Sequence, residues 1–183
     1  PLDDEGRFTT ETLERLGVKP GQVAGVISET FQGIGPNFFP AEYAQALEAW
    51  CRRHGALLIM DEVQAGFGRT GKMFAFQHYG ITPDLIACGK GISSSLPLAA
   101  VIGRADVMSA YAPGSMTSTH SASPLAVAAA RENLRILKAE RLVARAARLE
   151  RPLRAALEGI GRKYPERVGA VFVVRKSDTE AQL

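Results

Sequence analysis

An α/β fold, a mostly parallel sheet with flanking helices, is what this chain predicts, and three features carry the expectation. Short apolar runs alternate with longer stretches of helical periodicity, the order of strands joined by crossover helices. One run, ALLIM at 56–60, is apolar at every position, as in a strand covered on both faces. Polar residues stand directly after these runs, at Glu29, Asp61, Glu62, Gln64 and Lys90, where the ligands of open parallel sheets collect.

The elements follow in order. Residues 23–28 (VAGVIS) read as a buried strand ending at Glu29, with a Gly- and Pro-rich loop at 33–36. Pro40 opens a helix in which Tyr43, Ala46, Leu47 and Trp50 recur at helical spacing, and Gly55 stops it. After the strand at 56–60 comes a Gly-rich loop, then two short strands at 84–88 and 98–102. Pro124 opens a long helix to about Lys138. From Arg141 onward, Leu142, Ala146, Leu149, Leu153, Ala156 and Ile160 alternate at spacings of four and three. That amphipathic stripe suits a packed connecting helix, which Pro152 is expected to kink or divide. Residues 168–174 read as a last strand.

Composition narrows the function classes. With 183 residues, 46% hydrophobic and 22% charged, the chain can bury a proper core and is neither disordered nor collagen-like. Cys51 and Cys88 lie far apart and form no metal-like pair, which points to a reduced, cytoplasmic protein. No apolar run approaches the roughly 20 residues of a membrane span. The acidic opening at Asp3, Asp4 and Glu5 lacks the core of a signal peptide. The net charge is 22 − 19 = +3, its excess in an Arg-rich stretch near the C-terminus. There the arginines interleave with Ala, Leu and Glu rather than aromatics, so a solvated helix face is expected and no nucleic-acid surface. His54, His78 and His120 lack metal-ligand spacing, and no metal site is expected.

Asp61 ends an apolar strand, an expensive place for a charge unless a cation meets it. A protonated pyridine nitrogen is such a cation, and pairing would keep the ring an electron sink. Lys90 sits between Gly89 and Gly91 after the run DLIAC, where small neighbours admit a bulky group. Semi-burial there favours the uncharged, nucleophilic amine. Each residue alone has a plain structural alternative, a capping or salt-bridged Asp61 and a surface Lys90 in a turn. Gly66 to Lys72 (GFGRTGK) also imitates a phosphate-binding P-loop. Met73 stands where that motif needs a hydroxyl for Mg²⁺, and the acid-bearing strand runs straight into the loop. The nucleotide reading is therefore set aside.

The stretch DEVQAGFGRTGKMFAFQHYGITPDLIACGKGISSSLPLAAVIGR, residues 61–104, resembles the signature of class III pyridoxal-phosphate aminotransferases. The likeness extends over about 23–161. Two separations also match the family's: 90 − 61 = 29 and 119 − 90 = 29. The resemblance implies the large domain of a fold type I enzyme with pyridoxal 5'-phosphate as cofactor. It implies that Lys90 forms the Schiff base and moves the proton in catalysis. Asp61 would pair with the pyridine nitrogen, Val63 would pack on one ring face, and Gln64 would approach the ring hydroxyl. Thr119 would reach the cofactor phosphate of a neighbouring subunit, which implies a homodimer with shared sites. Glu29 matches a glutamate of the family's EPxxGxGG-like loop.

The resemblance divides the chain into a cofactor-binding large-domain portion, 1–140, and a connecting helix with the start of a small domain, 141–183. Thr30 stands where the family usually has Pro. Ile34 stands where 4-aminobutyrate and ornithine aminotransferases carry a second glutamate, and residues 120–123 replace a Gly-richer segment. The family's upstream phosphate cradle and stacked aromatic residue, and its downstream carboxylate-binding arginine, find no match. The chain is therefore expected to be a central fragment, inactive by itself. The parent is expected to move an amino group from an amine or ω-amino acid to a keto acid. An aminomutase or racemase of the same fold, or a non-catalytic remnant, is the alternative.

Overall fold

Three parallel strands end along one side of the sheet, and Asp61, Val63, Gln64 and Lys90 gather there. The computed structural model describes residues 9–33 and 38–165. Ile34 and the strand expected at 168–174 lie outside the described residues. The elements are α1 (Glu11–Arg15), β1 (Gly25–Glu29), α2 (Ala41–His54), β2 (Leu57–Asp61), β3 (Leu85–Cys88), β4 (Ala100–Gly103), α3 (Ala105–Met108), α4 (Pro124–Ala139) and α5 (Leu142–Lys163). One-turn 3₁₀ helices lie at Ala75–His78 and Lys90–Ile92.

The sheet runs β1-β2-β3-β4. β1 pairs with β2 and β2 with β3 in parallel, and the register sets Glu29 beside Asp61 and Asp61 beside Ala87. β4 starts two residues later than the sequence suggests and runs antiparallel to β3, with Cys88 opposite Ala100. The reason is the short return at 89–99, since a parallel return needs a crossover of roughly a dozen residues or more.

α2 forms because its apolar residues recur on one stripe, and Gly55 ends it with a left-handed cap at φ +67°. Tyr43, Ala44, Leu47, Trp50 and Cys51 on that stripe pack against Leu58 and Met60 of β2, with Phe39, Tyr79 and Ile81 closing the cluster. The expected two-sided cover of β2 is met on this face alone: Leu58 and Met60 are buried, whereas Leu57 and Ile59 are half-buried. A smaller cluster, Cys88, Ile92 and Ala130 with Phe67, Phe74, Ile86 and Leu98, lies toward β3 and β4 on the face of Met60 and Glu62, while on the other face Ile27 of β1 is 62% exposed.

A buried carboxylate fastens the sheet's other end. Asp84 accepts the Leu58 N–H at 2.8 Å, Arg52 Nη1 at 3.0 Å and Arg104 Nη1 at 2.7 Å, so it joins β2, α2 and the end of β4. α5 runs unbroken through Pro152, so the proline does not divide it. Pro152 and Arg148 both face solvent, where water can satisfy the carbonyl that loses its N–H partner. α5 packs along α4 and onto the 66–73 loop, where a Cβ on Gly71 would come within 2.9 Å of Ala147.

Candidate active site

Strand alternation separates the two acids that end β2. Leu58, Met60 and Glu62 share the face turned to α2, while Leu57, Ile59, Asp61 and Val63 share the other. Glu62 is fully buried and accepts the backbone N–H groups of Ala75 and Phe76, both at 2.8 Å, and the Thr30 hydroxyl at 3.3 Å. Burial pushes its carboxyl above the ordinary range, Asp61 adds to the effect, and these three donors oppose it. Glu62 was legible as a polar residue after a strand, but its task is structural: it anchors the turn at Ala75–His78.

Asp61 is half-buried, and its Oδ1 accepts the Val63 N–H at 2.9 Å. Among the described residues it has no ion-pair partner. Val63 lies against Gly89, where a Cβ would approach Val63 Cγ1 to 3.2 Å. A side chain at position 89 would have to push Val63 back by a few tenths of an ångström.

Lys90 has φ +38°, an uncommon backbone conformation for a lysine, and the surroundings hold it there. Asn133 of α4 donates its amide to the carbonyls of Gly91 at 2.7 Å and Ile92 at 3.1 Å, pinning the turn that Lys90 opens. The Lys90 amine donates to Gln64 Oε1 at 2.6 Å. The semi-burial expected for Lys90 is not found: the residue is exposed. Sequence reasoning missed Asn133, although it sits on the apolar stripe of α4 with Ala126, Ala130 and Leu137, a place where a polar residue signals a buried partner.

Two adjoining cavities of about 590 and 490 Å³ open beside Lys90 and share Gly66, Arg69 and Gly91. The smaller one adds Phe31, Phe38, Gln64 and Thr70. Thr119 does not line either cavity; it is exposed in the segment before α4. The structure thus brings Asp61, Val63, Gln64 and Lys90 together and leaves Thr119 outside the group.

A family model for class III aminotransferases matches residues 2–174. The chain belongs to the class III aminotransferases. It is 40% identical to the 5-aminovalerate aminotransferase of Pseudomonas putida, over 88% of this chain and 38% of that protein. To the 4-aminobutyrate aminotransferase of Escherichia coli it is 42% identical, over 90% of this chain and 39% of that protein. An S-selective transaminase from an Arthrobacter species superposes with a TM-score of 0.78 at 38% identity, over 89% of this chain and 37% of the other. The chain thus spans about two fifths of the length of the curated relatives it matches.

Class III aminotransferases depend on pyridoxal phosphate, and the ornithine aminotransferase of Toxoplasma gondii is described with partial occupancy of it at the active site. That structure is 40% identical with a TM-score of 0.68, over 77% of this chain and 33% of the other. The residues of this class III chain fit such a group. A carboxylate without a cation among the described residues, a Val63 floor reached through Gly89, and an accessible amine are the groups and surfaces its ring and aldehyde need. Among the described residues no cluster of His, Cys, Asp or Glu could hold a metal ion, and no helix is long and apolar enough to cross a membrane.

Proposed function

We propose that this chain supplies the pyridoxal-phosphate site of an enzyme that moves an amino group from an amine or ω-amino acid to a keto acid. The observation that carries this reading is the grouping of Lys90 and Gln64, 2.6 Å apart, with Val63 and an Asp61 that has no cation partner among the described residues. The relatives named for 5-aminovalerate and 4-aminobutyrate support the choice of donor class.

When bound, pyridoxal phosphate supplies an aldehyde carbon for the amino group and a ring that draws electrons from the substrate carbon. Asp61 would hold the protonated ring nitrogen, Val63 would support one ring face, and Gln64 would meet the ring hydroxyl. Lys90 Nζ would bind the aldehyde carbon, yield it to the incoming amine, and then take the proton from the substrate carbon and return it. In this reading residues 1–140 form the cofactor-binding portion and 141–183 lead into a small domain.

A homodimer with shared sites belongs to the same proposal. Thr119 lies in an exposed segment that also presents Tyr111, Met116 and Leu125 at 65%, 77% and 71% exposure. Such a patch suits burial against a second copy, where Thr119 would reach the partner's cofactor phosphate. A cytoplasmic location is supported by two buried free thiols, each pushed up to about 11, chiefly by burial.

The test is to incubate the chain with pyridoxal phosphate, reduce with borohydride and map the adduct by peptide mass. A stoichiometric adduct on Lys90 that disappears in Asp61→Ala is expected. Scattered labelling over the lysines would sink the cofactor assignment. Turnover without any keto acid in a complete enzyme carrying these residues would replace transamination by isomerisation.

A further inference from the structure

Lys90 is placed by its backbone, but a flexible four-carbon side chain still has to bring the amine to one point. Among the described residues, the side-chain acceptor of that amine is Gln64 Oε1, at 2.6 Å. Gln64 is itself confined. Gly33 lies so close that a Cβ there would stand 3.2 Å from both Nε2 and Oε1 of Gln64. The Gly33 turn is in turn held by Glu29, whose Oε2 accepts the Gly33 N–H at 3.2 Å. Glu29 ends β1 directly beside Asp61, so the series starts from a residue fixed by the sheet register.

We propose that Gln64 holds the free Lys90 amine in place, and that Glu29 is a positioning residue that acts on Lys90 through the Gly33 turn and the Gln64 amide. The role rests on the reading of Lys90 as the amine that condenses with the cofactor aldehyde, and it extends that reading to the moments when Lys90 is released. A freed lysine must stay near the substrate carbon to carry its proton, and an unrestrained side chain loses that position among its rotamers. An acceptor oxygen at the amine keeps it there without consuming it. Glu29 touches neither the amine nor the cavity beside it; it sets the wall against which Gln64 rests.

The test reads the amine directly and needs no cofactor. The chain is treated at fixed pH with trace acetic anhydride, and acetylation of Lys90 is quantified by peptide mass against Lys72 and Lys138 as internal standards. The Gln64 oxygen at 2.6 Å restrains the amine and covers one side of it, so Gln64→Leu is expected to label about three- to tenfold faster at Lys90 than the parent. Gln64→Glu keeps an acceptor of the same length and adds charge, so it is expected to label more slowly than the parent. Glu29→Leu shifts Lys90 in the direction of Gln64→Leu, and Glu29→Gln, which still accepts the Gly33 N–H, restores the parent rate. Lys72 and Lys138 stay constant in all four variants. Equal Lys90 rates in Gln64→Leu and Gln64→Glu overturn the role of Gln64, and parent behaviour in Glu29→Leu overturns that of Glu29. Failure of pyridoxal phosphate to add at Lys90, with the acetylation pattern intact, would count against the cofactor reading and leave the positioning in place.

Discussion

Asp61 and Glu62 are adjacent in the chain, and strand alternation gives them opposite surroundings. Glu62 satisfies one buried and one partly buried N–H group, so removing it leaves those donors without an acceptor. Glu62→Ala is expected to lower stability by about 2–4 kcal/mol in urea unfolding, from the unmade hydrogen bonds and the space left behind. Asp61→Asn keeps the shape and the bond from the Val63 N–H, so its stability should stay within about 0.5 kcal/mol of the parent. Its borohydride-trapped adduct at Lys90 should nevertheless fall sharply. A stability loss in Asp61→Asn as large as that in Glu62→Ala would mean that Asp61 is a structural acid.

The elements that matter to the site are joined by few contacts, and each can be tested. α4 reaches the Lys90 turn through Asn133, whose amide donates to Gly91 and Ile92. Asn133→Leu preserves volume but removes both donors, and it is expected to cost about 1–3 kcal/mol and to lower the Lys90 adduct yield. Parent adduct yield in that variant would show that the turn keeps its shape without α4. α5 meets the 66–73 loop at Gly71, which has φ +84° and stands against Ala147. Gly71→Ala brings a Cβ into backbone at 2.9 Å, and thermal unfolding should report a loss of about 1–3 kcal/mol. Arg69 and Thr70, which line the cavity beside Lys90, belong to this loop, so the same variant should also disturb the site.

For the molecule as a whole, two buried carboxylates give opposite pH dependences. Burial pushes the Asp84 carboxyl up, but the Leu58 N–H and the Arg104 and Arg52 guanidinium groups outweigh it and hold it below the ordinary range. Its folded value is lowered, so its contribution is present above the unfolded value and is lost as pH falls through the folded one. Glu62 is raised, so its contribution is full below the unfolded value and is lost as pH rises through the folded one. Urea midpoints measured from acid to neutral pH should therefore show a shallower acid-side fall in Asp84→Asn. Glu62→Gln should show a shallower loss as pH rises. Unchanged slopes in both variants would mean that other groups govern the pH response.

The residue pattern alone was enough for the alternation of strands and helices, for the strand ends that carry Asp61 and Lys90, and for the family. These are properties of local periodicity and of a motif that is contiguous in the chain. Tertiary structure alone decided the rest. β4 pairs antiparallel with β3 rather than extending the parallel run, and Pro152 sits inside a continuous helix because its freed carbonyl faces water. Glu62 is an anchor because the pleat turns it inward, and Asn133 matters because α4 crosses the Lys90 turn. Likewise Glu29, Gly33 and Gln64 come into series only when β1 and β2 pair in register. Each of these outcomes depends on which residues meet across long separations in the chain, and periodicity along the sequence carries no record of that.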